Sequence, residues 1–228
     1  MFYFLGIDIG GGDNTWVVVL VEDPTEKGKL SLSLNHFEGE SAGRVSLKDI
    51  ILFVRSHKVL TVTMDTPLSF SLGLKKGWRK GDLALKDLLP KEAKRWVLSY
   101  NALMGIPIRG YLLAQALSPY CGTILESHPR ASLHMILPED KKYLSHKYKR
   151  EHLQESECLF LKGFFAEIFG LDIALELLTN SGFIDALLCA VTGFYLCREP
   201  EKLIFLPPEE EALGFGPFVI FKEKSQDF

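Results

Sequence analysis

Residues 182–197 read GFIDALLCAVTGFYLC, about four helical turns that are apolar on every side. A helix of that kind has to be buried on most of its faces, so the fold must wrap other layers around it. Asp185 is its only charged residue. An unpaired carboxylate in such a place costs several kcal/mol, so it takes up a proton, a cation or a set of donors. With 228 residues, 47% of them hydrophobic, the chain can supply one substantial core and is short for two. A single domain over residues 1–228 is the expectation.

The layers come from apolar runs with β character. Residues 2–8 form one, ending in Asp8; a turn of Gly10-Gly11-Gly12-Asp13-Asn14 follows, and then the β-branched run Trp16–Val21. Strand, Gly/Asp/Asn turn, strand is a hairpin pattern. Leu30, Leu32, Leu34 and Phe37 alternate as a third antiparallel strand. Residues 46–57 read as a helix capped by Ser46, and Val59–Met64 as a strand buried on both faces. Helical spacing over Asp82–Leu89, Lys91–Met104 and Arg109–Leu117 marks a helical insertion around 78–118. Gly122–Glu126 is another buried strand. Helices follow at 153–169 and 182–197, and Leu203–Leu206 and Phe218–Phe221 read as short edge strands. The sum is an α/β fold: a mixed β-sheet with three antiparallel N-terminal strands, flanked by helices.

The acids fall at telling places. Asp8, Asp65 and Glu126 each end a different apolar strand, and in open α/β sheets ligands collect beyond strand ends. Adding Asp185 makes four carboxylates that repel one another unless divalent metal neutralises them. Oxygen-only ligands suit Mg²⁺ or Mn²⁺, and two such ions activate water and hold the leaving oxygen of a phosphodiester. Each acid also has a plain reading. Asp8 and Asp65 suit turns, Glu126 has Arg130 nearby to pair with, and Asp185 suits the first turn of a helix. The conjunction favours the metal. It requires Asp185 to point toward Asp8, and neither to be neutralised by a lysine or arginine. His128 either orients or relays protons beside Glu126 or caps the turn at Pro129.

The same residues resemble a family. Gly6-Ile7-Asp8 with Trp16 after it, Asp65-Thr66-Pro67, Arg79-Lys80-Gly81-Asp82, Glu126-Ser127-His128-Pro129 and Asp185-Ala186 are similar, in order and spacing, to motifs of the RNase H-fold nucleases grouped as domain of unknown function 429. The chain departs from that pattern at Asp13-Asn14-Thr15 and at Gly81. The resemblance implies an RNase H-like fold and a divalent-metal-dependent nuclease or phosphodiesterase. It places Asp8, Asp65, Glu126, Asp185 and His128 in the catalytic set, and Trp16, Arg79 and Asp82 at the substrate.

Two other readings compete. Asp8 through Thr15 is similar to the first phosphate loop of actin-like ATPases and sugar kinases, though those pair two such domains. A non-catalytic interaction domain is the other, and the buried Asp185 argues against it. The net charge of −3 gives no global nucleic-acid signature, so a nucleic acid, the candidate partner, would have to meet local patches. Trp78 among Lys75, Lys76, Arg79 and Lys80 is one, and the basic run 141–152 another. Cys121, Cys158, Cys189 and Cys197 form no zinc pattern. No stretch reaches about 18 apolar residues and no secretory signal is recognisable, so a reducing, cytoplasmic location without a membrane partner is the expectation.

Overall fold

The computed structural model describes residues 1–10, 14–23, 25, 29–33, 45–70, 77–209 and 213–223. Strands β1 (Phe2–Asp8), β2 (Trp16–Glu22) and β3 (Leu30–Ser33) are followed by helix α1 (Leu47–Ser56), β4 (Val59–Met64) and the short β5 (Ser69–Phe70). Helices α2 (Lys80–Leu88) and α3 (Ile106–Leu117) lead to β6 (Cys121–Ser127). Then come α4 (Pro129–Ile136), α5 (Leu144–Lys147), α6 (Glu155–Phe169), α7 (Ser181–Arg198), β7 (Leu203–Phe205), β8 (Leu213–Gly214) and β9 (Phe218–Phe221). The protein is α/β, with a seven-stranded mixed sheet in the order β3-β2-β1-β4-β6-β9-β7. β1, β4, β6 and β9 run parallel, while β2, β3 and β7 are antiparallel to their neighbours.

Period-two alternation splits the core between the two faces of the sheet. Leu5, Ile7, Val62, Met64 and Ile124 pack with Ile50 and Val54 of α1 and Leu113 and Leu117 of α3. Phe4, Val18, Leu20 and Leu125 pack on the other face with α4, α6 and α7. The Ser46 side chain accepts from Asp49 N and caps α1 as its position suggested. Helix α7 lies directly across β1. A Cβ on Gly6 would stand 1.8 Å from the Ala186 carbonyl oxygen, so only glycine lets the helix come this close. By length and composition α7 could span a membrane, with 18 residues and a mean hydropathy of 1.3, but 78% of it is buried within the fold.

Two expectations are corrected. Residues 91–104 are not an α-helix but two 3₁₀ turns, Lys94–Trp96 and Tyr100–Leu103. Ala93 and Val97, whose spacing suggested a helix, reach the core with Leu85 and Met135 from those turns. Phe218–Phe221 is not an edge strand, because β7 pairs outside β9 and takes the edge. Helix α4 forms where no element was expected, since Pro129 fits a first helical turn and the His128 side chain caps it. Leu34, Phe37, residues 11–13, Lys75 and Lys76 lie outside the described residues.

Candidate metal centre

Strand register decides which acids meet. β1 and β4 pair Ile7 with Met64, and Asp65 N donates to Ile7 O at 2.9 Å. Asp8 and Asp65 therefore stand side by side just past the strand ends. Both follow residues that face α1 and α3, so both turn toward α7. Asp185, fully buried in the first turns of α7, meets them there. One carboxylate oxygen from each of Asp8, Asp65 and Asp185 lies within 4.8 Å of the other two.

Glu126 does not join them. β4 and β6 pair Met64 with Glu126, which puts Glu126 on the face of Met64 and opposite to Asp65. A difference of one residue in parity sends the side chain to the other side of the sheet. There Glu126 accepts from both terminal nitrogens of Arg79, at 2.7 and 2.5 Å, and from Leu68 N at 2.9 Å. Its partner is thus Arg79 and not Arg130. Arg79 also donates to Asp82, from Nε at 3.0 Å and Nη2 at 2.6 Å, and Asp82 accepts from Arg79 N. Arg79 and Asp82, expected at the substrate, are each 3% exposed and tie α2 to the strand ends.

His128 caps α4. Its Nδ1 accepts from Ala131 N at 3.2 Å and its Nε2 faces Trp96 O at 3.4 Å, so both ring nitrogens are occupied. Burial, before any other cause, lowers its pKa to about 4 and keeps the ring neutral. Trp16 lies against the start of α7, where a Cβ on Gly182 would meet its indole at 2.3 Å. Its Nε1 donates to Asn14 Oδ1 at 3.2 Å. The tryptophan sets the position of α7 and through it Asp185.

Sequence reasoning missed three residues at the acids. Tyr148 donates to Asp185 Oδ1 at 2.6 Å, and the Lys149 ammonium donates to Asp185 Oδ2. Both belong to the 141–152 run, whose charge pattern suggested a phosphate track. The third is Ser127, which has the parity of Asp65 on β6, lines the same cleft and holds a buried hydroxyl without a partner. Of the two requirements set by the sequence, Asp185 does point at Asp8, but it is paired with a lysine.

One ammonium does not balance three carboxyls. Burial and then the charge of Asp65, against the pull of Lys149, hold the Asp8 carboxyl at about 7. Burial likewise holds Asp65 at about 6, with Lys149 opposing and Glu126 adding to the rise. Near neutral pH the pair is short of positive charge. Three hard oxygen donors, two of them (Asp8 and Asp65) lining a cleft of about 260 Å³ with the unpartnered Ser127 hydroxyl and the third, Asp185, fully buried within reach of both, fit Mg²⁺ or Mn²⁺ together with the charge deficit. No family model, curated protein or solved structure matches the chain.

Proposed function

We infer that the protein is a divalent-metal-dependent phosphodiesterase or nuclease with an RNase H-like fold, as its resemblance to the domain of unknown function 429 nucleases implies. The observation that carries this is the convergence of Asp8, Asp65 and Asp185 from β1, the end of β4 and α7. Three antiparallel strands followed by parallel ones, with the acids beyond the parallel ends, support the fold. Asp8, Asp65 and Asp185 would hold Mg²⁺ or Mn²⁺, which when bound supplies a Lewis acid and a water of lowered pKa.

The chain's own groups supply the rest. Tyr148 fixes one oxygen of Asp185 and leaves the other to a cation. Lys149 neutralises that second oxygen, and its side chain, 28% exposed, lines the cleft that an incoming phosphate would enter. Ser127 offers a hydroxyl to whatever occupies the cleft. Glu126 and Arg79 line the same cleft and hold its wall rigid through their ion pair. The phosphate-loop reading gains nothing here, since Thr15 is not among the residues that line the cleft at Asp8 and Asp65.

Asp185→Asn keeps the size and the Tyr148 contact but removes the ligand charge. We expect it to abolish Mn²⁺-dependent hydrolysis of labelled oligonucleotides, by at least about a hundredfold, while the circular dichroism spectrum is unchanged. Hydrolysis by the variant at the wild-type rate would overturn the assignment.

A further inference from the structure

Beside the acid cleft runs a groove of about 850 Å³ lined by Arg95, Trp96, His134 and His146 among others. Trp96 lines both, and Arg130, on the wall of the acid cleft, lies over the Trp96 ring at 4.2 Å. The two spaces meet at this stacked pair, with Trp96 forming part of both walls.

Glu92, Glu139, Glu151 and Glu223 line the groove together with its cations, but they do not pair with the arginines gathered at its inner wall. Arg130 donates to the carbonyls of Ser145 and His146 at 2.9 and 3.0 Å. Its Nη2 also faces His146 Nδ1 at 3.3 Å, while Arg95 Nη2 faces His146 Nε2 at 3.5 Å. Among the described residues, no carboxylate forms an ion pair with Arg95, Arg130 or Arg150. The neighbouring lysines differ: Lys142 is held by Glu139 and Glu223, and Lys147 by Glu157.

The imidazole makes the deficit specific. Burial and then the charges of Arg150, Arg130 and Arg95 hold the His146 pKa below its ordinary value, with Glu151 the opposing acid. A neutral imidazole has one acceptor nitrogen and one N–H. Guanidinium donors face both nitrogens, so one of the two contacts sets donor against donor. The buried Trp96 Nε1 in the same wall has no acceptor either. An anion with several oxygens would satisfy the surplus donors together.

We propose that Arg95, Arg130 and His146, with Arg150 beside them, form a clamp for a backbone phosphate of a single-stranded nucleic acid whose scissile phosphate lies at Asp8, Asp65 and Asp185. The clamp rests on the phosphodiesterase reading of the acid cleft and goes beyond it by naming the substrate class. Arginine recognises phosphate through a planar fork, and Trp96 with Arg130 gives a flat surface for an adjacent base. A strand has phosphates on both sides of the one being cut, as a small phosphate ester does not.

Anisotropy of a labelled single-stranded oligonucleotide, titrated in EDTA, tests this. Arg95 and Arg150 are exposed, so replacing both with Ala spares the core. The double variant is expected to bind at least about tenfold more weakly, with a salt dependence shallower by about 0.7, for the one phosphate the clamp neutralises. Manganese titrated calorimetrically into the same variant reports on the acids separately. Unchanged oligonucleotide affinity and salt slope, with Mn²⁺ binding intact, would overturn the clamp and leave the metal reading standing. Weakened oligonucleotide binding in a protein that takes no Mn²⁺ would keep the clamp and sink the metal reading. Complete displacement of the strand by millimolar inorganic phosphate would also overturn the clamp, since a strand site gains from several contacts at once.

Discussion

Asp8→Asn is expected to make the metal-free protein more stable at pH 8 and to remove its response to Mn²⁺. The Asp8 carboxyl is held at about 7, from an ordinary 3.8, first by burial and then by Asp65. A carboxyl raised by folding adds stability that is fully present below its unfolded pKa and is lost as pH rises through the folded one. At pH 8 the wild type has lost that contribution, worth up to about 4 kcal/mol. Asparagine carries no charge to desolvate and recovers part of it. For a chain of this length each kcal/mol moves Tm by about 2–4 °C, so a rise of about 4 °C or more is expected at pH 8. The difference should shrink toward pH 5, where Asp8 is already protonated. In the wild type, Mn²⁺ should raise Tm at pH 8, and in the variant it should not. A variant less stable than the wild type without metal would show that Asp8 is satisfied as a carboxylate, and the charge-deficit account would fail.

Arg79→Ala should have the largest effect on stability. It strips the partner from two buried acids, Glu126 and Asp82, and frees the Ser69 carbonyl that Arg79 Nη1 reaches at 3.1 Å. Removing one side of a buried ion pair costs about 3–5 kcal/mol, because the charges left behind cannot regain water. At the same conversion, Tm should fall by about 6–20 °C. Glu126→Gln with Asp82→Asn in the Arg79→Met background should recover much of the loss. Because Glu126 lies outside the group formed by Asp8, Asp65 and Asp185 and both its oxygens are held by Arg79, Glu126→Gln alone should leave Mn²⁺ affinity within about twofold. Thermal melts and calorimetry read the two effects apart. Loss of Mn²⁺ binding on Glu126→Gln would put Glu126 back among the ligands.

The contrast between Asp65 and Glu126 shows where the sequence is legible. Both end apolar runs, and the runs were placed correctly as β4 and β6. What the runs do not carry is register, and with Met64 opposite Glu126 the two acids fall on opposite faces. The apolar helix with one carboxylate was decisive in the other direction: Asp185 is the only charge in residues 182–197, and it does reach the cluster. The partner Lys149 was invisible because it arrives from the irregular segment after α5, and no periodicity links it to Asp185. Residues 91–104 misled for a related reason. Ala93 and Val97 at i, i+4 satisfy a helical template, yet the single tight turn between them buries both. His128 was left between two roles by the sequence, and the contact with Ala131 N makes it a cap.

The central claim is that Asp8, Asp65 and Asp185 share a charge deficit that a divalent cation fills. Calorimetric titration of Mn²⁺ into the wild-type protein at pH 8 and pH 5.5 tests it most directly. Protons compete at Asp8 and Asp65, held at about 7 and about 6, so binding should be clear at pH 8 and at least about tenfold weaker at pH 5.5. No binding heat at pH 8, or an affinity equal at the two pH values, would contradict the account.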